Sequence, residues 1–409
     1  MELWQKIGIA YLIVANLTGF VIMGEDKHKA KKGAWRIQEK TLFLVAIVGG
    51  SIGSILGMYM FHHKTKHKKF VIGMPVILLI QLVCILFAVY QYQWKEATST
   101  QIHMGTVVSA VVYGSDSADT AEAVMQVIDN LDNGELSWRK PESAVAVINK
   151  QLAEGQEVPL YQQEQEWLQD TKKLCEASGG ALDITIHPLV ELWGIEGEQP
   201  KVPEAEEIRE ALGKTGYEGL HIDKTVWADS TDYSIDLGAV GKGIAADAVQ
   251  DYLEQTHTKG AIISIGGTVL AYGRKPDNQS WQVGIRDPRG AQDAVMGLLQ
   301  IEDGMIVSTS GDYEKYFIQD GIRYHHIMNP ATGYPADSGL MSVTVVCSSG
   351  LASDGLSTAC FVLGYEDSLS LLEQYQAEAI FITNEKEVYV TDGLQDAFTI
   401  VNTDYQKAL

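Results

Sequence analysis

Three apolar runs, at residues 7–23, 42–61 and 70–92, open this chain of 409 residues. Each is close to the roughly 20 residues an α-helix needs to cross a bilayer. The first run follows Lys6 as a signal peptide core would, but no small-x-small cleavage site follows it and two further runs do, so it reads as a retained helix. The second carries Gly49, Gly53 and Gly57 at four-residue spacing, which gives a helix a smooth face for a neighbour. Tyr90, Tyr92 and Trp94 fall where an interfacial aromatic belt belongs. The reading is an all-α membrane domain of three helices over residues 1–94.

Charge is divided between two regions. Residues 1–97 hold 12 Lys/Arg and 5 Asp/Glu, a net of +7. Residues 98–409 hold 19 basic and 48 acidic side chains, a net of −29 that brings the whole chain to −22. Such an acidic body excludes nucleic acid as a partner, because that binding rests on cationic contacts to phosphate. An anionic ligand there needs a metal or a local basic group. The basic residues of the first region lie between the apolar runs: Lys27, Lys29, Lys31, Lys32, Arg36 and Lys40 in one loop, and His-His-Lys-Thr-Lys-His-Lys-Lys over 62–69 in the other. The three His of the second loop admit a metal site, but a loop facing lipid headgroups fits its lysines better. With three spans the two loops lie on opposite sides, so the positive-inside rule does not decide the orientation.

Residues 95–103 read as a polar linker, and 104–409 as one large body. Apolar alternation predicts strands at 106–113, 261–265, 281–285, 305–309, 341–346 and 379–382. Helical spacing predicts helices at 119–131, 159–177, 204–212, 243–254, 352–363 and 367–375. Strands and helices without strict alternation imply an α+β fold. Cys84, Cys175, Cys347 and Cys360 show neither zinc spacing nor a disulfide framework.

Candidate chemistry is strung along residues 104–360. Tyr324-His325-His326-Ile327-Met328-Asn329-Pro330-Ala331-Thr332-Gly333-Tyr334-Pro335 packs two imidazoles into dense turn chemistry, which fixes backbone amides in a concave arrangement suited to phosphate. Gly179-Gly180-Ala181-Leu182-Asp183-Ile184-Thr185 makes a tight turn whose Asp and Thr can bond backbone, and Pro188-Leu189 and Leu192-Trp193-Gly194 follow. Trp193 serves equally as a ligand platform or as core. Asp236-Leu237-Gly238-Ala239-Val240-Gly241-Lys242-Gly243 ends a strand and opens a helix, a place that favours phosphate, with Lys242 adding a charge. It is not a Walker loop, since no Ser/Thr follows the Lys. Gly266-Gly267-Thr268, Trp281-x-x-Gly284-Ile285-Arg286-Asp287-Pro288 and Ser308-Thr309-Ser310-Gly311-Asp312-Tyr313-Glu314 add hydroxyls and glycine turns able to bond phosphate oxygens or the polar edge of a ligand. In Ser353-Asp354-Gly355-Leu356-Ser357-Thr358-Ala359, Asp354 and Thr358 share a helix face, and both are oxygen donors of the kind Mg²⁺ prefers. Asp354 would serve as well as a helix N-cap.

In order and over about 300 residues, these stretches resemble the ApbE family, the FAD:protein FMN transferases, whose fold is α+β and T-fold-related. Met104-Gly105-Thr106 resembles the opening of that domain. The resemblance implies that FAD is the substrate and Mg²⁺ the cofactor. FMN would pass to a Thr or Ser hydroxyl of an acceptor protein belonging to a membrane or extracytoplasmic redox system, and AMP would leave. It implies metal ligation by Asp354, Thr358 and the Gly241 carbonyl. It further implies FAD contacts from Met104, Asp183, Thr185, Lys242, Gly267, Ser310, Gly311, Asp312, His326 and Thr332. Phosphoryl transfer needs charge neutralisation and in-line positioning more than covalent help, so Lys242 and His326 are the expected catalytic residues, with His326 as base. The sequence departs from the family at Asn329, where the pattern has Asp; Asn can hydrogen-bond but cannot take a proton. Asp354-Gly-Leu-Ser-Thr-Ala-Cys360 also resembles an acceptor site for flavinylation, but its last position is Cys, so it is read as the metal motif. FAD hydrolysis to FMN and AMP, or flavin binding without catalysis, are the alternative activities. Members act mostly at the outer face of bacterial membranes, so the expected location is a multi-pass membrane protein, in contact with the lipid bilayer, whose catalytic domain is extracytoplasmic. Asp26-Lys27-x-x-Ala30, Arg36-Ile37-x-Glu39, Gly49-Gly50 and His63-Lys64-Thr65 resemble a second, short bacterial membrane domain of unknown function.

Overall fold

The structure is a computed structural model that describes residues 3–197 and 199–408. The chain divides into two compact units, Met1–Gln93 and Trp94–Leu409.

In the first unit, three helical segments are long and apolar enough to cross a membrane: Lys6–Lys32, Glu39–Met60 and Lys68–Gln93. The middle one is not the continuous helix expected. It runs as Glu39–Val45, breaks in a wide turn over Ala46–Gly50, and resumes as Ser51–Met60. Gly49 sits at φ 111°, a conformation that side chains other than hydrogen rarely adopt. A break in so apolar a segment leaves backbone groups that lipid could not satisfy, and here side chains satisfy them. Gln81 donates to the carbonyls of Ala46 and Ile47 at 2.8 Å each, and the Tyr11 hydroxyl to Val48 at 2.6 Å. The Asn16 side chain accepts the Gly53 N–H at 2.8 Å. Gly53 and Gly57 lie against the first helix as the spacing suggested, whereas Gly49 serves the break. The two basic loops meet on one side of this unit, so the middle segment turns back at its break, and the expectation that three spans set the loops on opposite sides is not met. His63 turns inward to the buried Asp26 at 2.7 Å, and Lys64 to Glu39 at 2.6 Å.

The second unit is an α+β fold built on a nine-stranded sheet. Its strand order is Glu96–His103, Thr106–Gly114, Thr258–Ile265, Thr268–Gly273, Ile306–Gly311, Leu340–Cys347, Glu378–Thr383, Glu387–Val390 and Gln406–Lys407. Every pairing but the last is antiparallel. Residues 96–103, expected as a linker, are instead its edge strand. Their alternation of Ala, Ser, Gln with Thr and Ile is too polar to register as apolar periodicity, yet it pairs in full register with Thr106–Tyr113. One face of the sheet carries the large core of Val108, Ile128, Ile244, Leu356 and Phe381. The other carries a smaller core around Trp281, Met296, Leu299 and Phe398, covered by a three-stranded sheet.

Candidate active site

Two helices, Gly241–Glu254 and Gly350–Leu363, cross on the sheet and create the site. Their backbones touch at glycines: a Cβ on Gly243 would lie 2.0 Å from the Gly350 carbonyl oxygen. Asp247 of the first helix locks the crossing by accepting the N–H groups of Gly350 at 2.6 Å and Leu351 at 2.9 Å, which otherwise lack partners at a helix start. The crossing sets Lys242 beside Asp354, Nζ to Oδ1 at 3.2 Å. Asp354 is buried and also takes the Gly243 N–H at 3.1 Å and the Thr268 hydroxyl at 3.4 Å. Ser308 bonds Thr268 in turn at 3.3 Å. One turn along the helix, Ser310 Oγ meets Ser357 Oγ at 2.7 Å and Thr358 Oγ1 at 3.2 Å. Asp354 is therefore a mid-helix group aimed at the site, and the N-cap is Ser349, which accepts from Ala352. Among the described residues no three His, Cys, Asp or Glu converge. The donors here are a carboxylate and hydroxyls, an oxygen-only set that suits a hard cation, and the Asp354 carboxylate already holds a cation in Lys242.

The two imidazoles of the signature loop differ in role. His325 is buried, donates from Nε2 to the Ala336 carbonyl at 2.9 Å, and accepts the Ile327 N–H at Nδ1. Its nitrogens are spent. His326 is half-buried, and its Nδ1 lies 3.3 Å from the Lys315 carbonyl, which leaves Nε2 as the unengaged nitrogen. Burial pushes its imidazole down to about 4, with the Glu196 carboxylate pulling the other way. The neutral form thus holds at neutral pH. Asn329 accepts the Ala331 N–H at 2.9 Å through its side chain, a turn bond an Asp would make equally well. Thr332 is exposed and accepts the Tyr334 N–H at 3.3 Å. Trp193 is fully buried and donates to the Gly333 carbonyl at 2.9 Å, so it is core that ties two motifs together.

Several other expected FAD contacts are held by bonds within the fold. Asp183 accepts from Thr185 N–H at 2.8 Å, the Thr185 hydroxyl at 2.6 Å and the Tyr217 N–H at 3.2 Å. Thr185 accepts from Gly216 at 2.7 Å, so this pair pins the glycine turn to a distant loop. Burial raises the Asp183 carboxyl. Asp312 is gripped by Arg289 through two bonds of 2.7 Å. Gly311 leaves room for the Tyr313 ring, and Gly267 offers its carbonyl to Thr309 at 2.9 Å. Met104, in the turn between the first two strands, places its Sγ-methyl end against Gly241. Sequence reasoning missed Thr268 as an Asp354 partner. It also missed a cluster beside His326: Glu196 bridges Arg139 at 2.9 Å and Lys315 at 2.8 Å. Burial alone would raise Glu196, but these two cations hold it below the usual carboxylate range.

The ApbE family pattern matches residues 104–381, and a pattern described as a protein of unknown function (DUF1294) matches residues 16–70. An FAD:protein FMN transferase of Treponema pallidum is 31% identical over 351 residues, covering 79% of this chain and 96% of that protein. One of Klebsiella pneumoniae is 34% identical over 307 residues, covering 74% and 94%. The crystal structure of the ApbE protein of Thermotoga maritima superposes with a TM-score of 0.69 at 31% identity, covering 74% of this chain and 99% of that one. The apo flavinyl transferase ApbE of Pseudomonas stutzeri does so at 0.65 and 34%, covering 75% and 97%.

Proposed function

The chain belongs to the ApbE family, and on that premise we propose that it is a membrane-anchored FAD:protein FMN transferase. The observation that carries this reading is the meeting of Lys242, Asp354, Ser310 and Thr358, drawn from three motif stretches, at one crossing of helix and sheet. The acceptor's Thr or Ser oxygen attacks the FMN phosphorus, the P–O bond to AMP breaks, and the hydroxyl proton passes to His326 Nε2. Lys242 opens a helix whose N-terminus favours phosphate, and it brings a positive charge to the pyrophosphate. The Lys315 carbonyl keeps His326 turned with Nε2 free. Asp354, Thr358 and the Gly241 carbonyl are the groups we assign to Mg²⁺. When bound there, Mg²⁺ supplies neutralising charge at the pyrophosphate.

The apolar helices anchor the domain, which begins with the strand Glu96–His103, to a bilayer, and we place that domain outside the cytoplasm with an extracytoplasmic redox protein as acceptor. Support for the location is the family resemblance together with the basic loops: Asp26 of the first meets His63 of the second at 2.7 Å, so both lie on one side, which the positive-inside rule makes the cytoplasmic one. The test uses the full chain in detergent with FAD, Mg²⁺ and the peptide Ser-Asp-Gly-Leu-Ser-Thr-Ala-Thr, which is this chain's own 353–360 stretch with a terminal hydroxyl residue. Peptide-bound FMN with AMP supports transfer. Free FMN with AMP means hydrolysis, and unchanged FAD means binding without catalysis.

A further inference from the structure

We propose that Glu196 is a positioning residue for the transfer step: its carboxylate clamps Arg139 and Lys315 beside His326, fixing the imidazole's orientation and stabilising its protonated form. The proposal rests on the reading of His326 as the base. Three loops far apart in sequence meet at this carboxylate. Oε2 takes Arg139 Nη2 at 2.9 Å, and Oε1 takes Lys315 Nζ at 2.8 Å. Arg139 is itself held over the Trp138 ring, 4.1 Å from its centroid. Lys315 carries the carbonyl that receives the His326 backbone N–H at 3.1 Å and faces Nδ1 at 3.3 Å. Holding Lys315 therefore holds the tautomer with Nδ1–H on the carbonyl and the lone pair on Nε2.

Charge gives the clamp its second task. The groups acting on His326 are Glu196, Lys315, His325 and Lys242, with Arg139 across the carboxylate. Asp236 lies near Glu196 as well, but its carboxylate is spent on the Gly238 N–H at 2.7 Å and the Trp138 N–H at 3.0 Å, and burial raises it. A base that accepts a proton here becomes an imidazolium in a half-buried site with three nearby cations. Glu196 is the carboxylate that offsets both, and an opposite charge at short range favours the charged form.

The test reads His326 itself by NMR of histidine-labelled full chain, assigned with His326→Ala, and in parallel the pH profile of peptide flavinylation. In Glu196→Gln two cations lose their counter-charge, so the proton affinity of His326 falls about tenfold and kcat falls with it while KM for FAD holds. In Lys315→Met the carbonyl stays but a cation goes, so proton affinity rises about tenfold. Glu196→Asp restores the titration in part. A merely structural role would not move the two variants in opposite senses; shifts of the same sign, or none in either, overturn the proposal. The titration needs no turnover, so it decides the matter even for a wild type that fails to flavinylate, a result that would instead overturn the proposed function.

Discussion

At the scale of single residues, the two histidines separate structure from chemistry. His326→Ala is expected to keep FAD binding and to lose transfer by roughly 10²–10⁴-fold, the range of a general base. His325→Ala removes a buried, doubly bonded ring, so it lowers stability by about 1–3 kcal/mol through the unpaired Ala336 carbonyl. Activity assays and thermal melts of both variants check the division, and reversed behaviour means the other imidazole is the base. With its folded value lowered to about 4, His326 is neutral in the native chain where the unfolded chain is already protonated. The unfolded state thus binds more protons between roughly pH 4 and 6.5, and stability rises with pH through that window. Denaturant titrations across it should show a shallower rise in His326→Gln. Which partners hold each acid was only half legible in the sequence. Asp354 and Lys242 stood in motifs, but Asp183 and Asp312 stood in motifs too, and their partners Tyr217 and Arg289 were invisible at long range. Glu196 lay outside every functional pattern, since its role depends on three loops meeting.

At the scale of elements, the glycine crossing of two helices is the feature on which the site depends. Gly243→Ala drives a methyl group into the Gly350 carbonyl, costs about 1–3 kcal/mol or more, and parts Lys242 from Asp354. Activity should fall further than stability, measured by turnover against melting temperature; unchanged turnover would remove the crossing from the mechanism. Asp354→Ala leaves the helices crossed through Asp247, yet should abolish Mg²⁺-dependent turnover and weaken Mg²⁺ binding by calorimetry. Full activity in chelator would withdraw the metal assignment. Long elements with apolar periodicity were readable to within a few residues, as at Ser117–Leu131 and Leu340–Cys347. The strand Glu96–His103 and the hairpin Tyr316–Gln319 with Ile322–His325 were not, because a polar edge strand and a short exposed hairpin owe their form to their partners. The break at Ala46–Gly50 was hidden for a related reason: its glycines suit helix packing, and only Gln81, Asn16 and Tyr11 make the break tolerable.

At the scale of the whole molecule, the edge strand alters where the catalytic unit can be cut. A fragment beginning at Trp94 keeps Glu96–His103 paired, whereas one beginning after residue 103 strips the sheet of that edge and should melt lower. Protease added to intact spheroplasts is expected to release a fragment starting near that strand, as befits an extracytoplasmic domain; complete protection, with a cytoplasmic marker also intact, would reverse the orientation. The central claim is that the FMN phosphate of FAD moves to a protein hydroxyl. Its most direct measurement is tandem mass spectrometry of the Ser-Asp-Gly-Leu-Ser-Thr-Ala-Thr peptide after incubation with the full chain, FAD and Mg²⁺, with AMP quantified beside it. The account predicts one FMN on the terminal Thr for each AMP released, and no adduct at that position when the Thr is replaced by Val. A peptide that stays unmodified while FAD is consumed, or a peptide with Val in place of that Thr that still carries FMN, would contradict it.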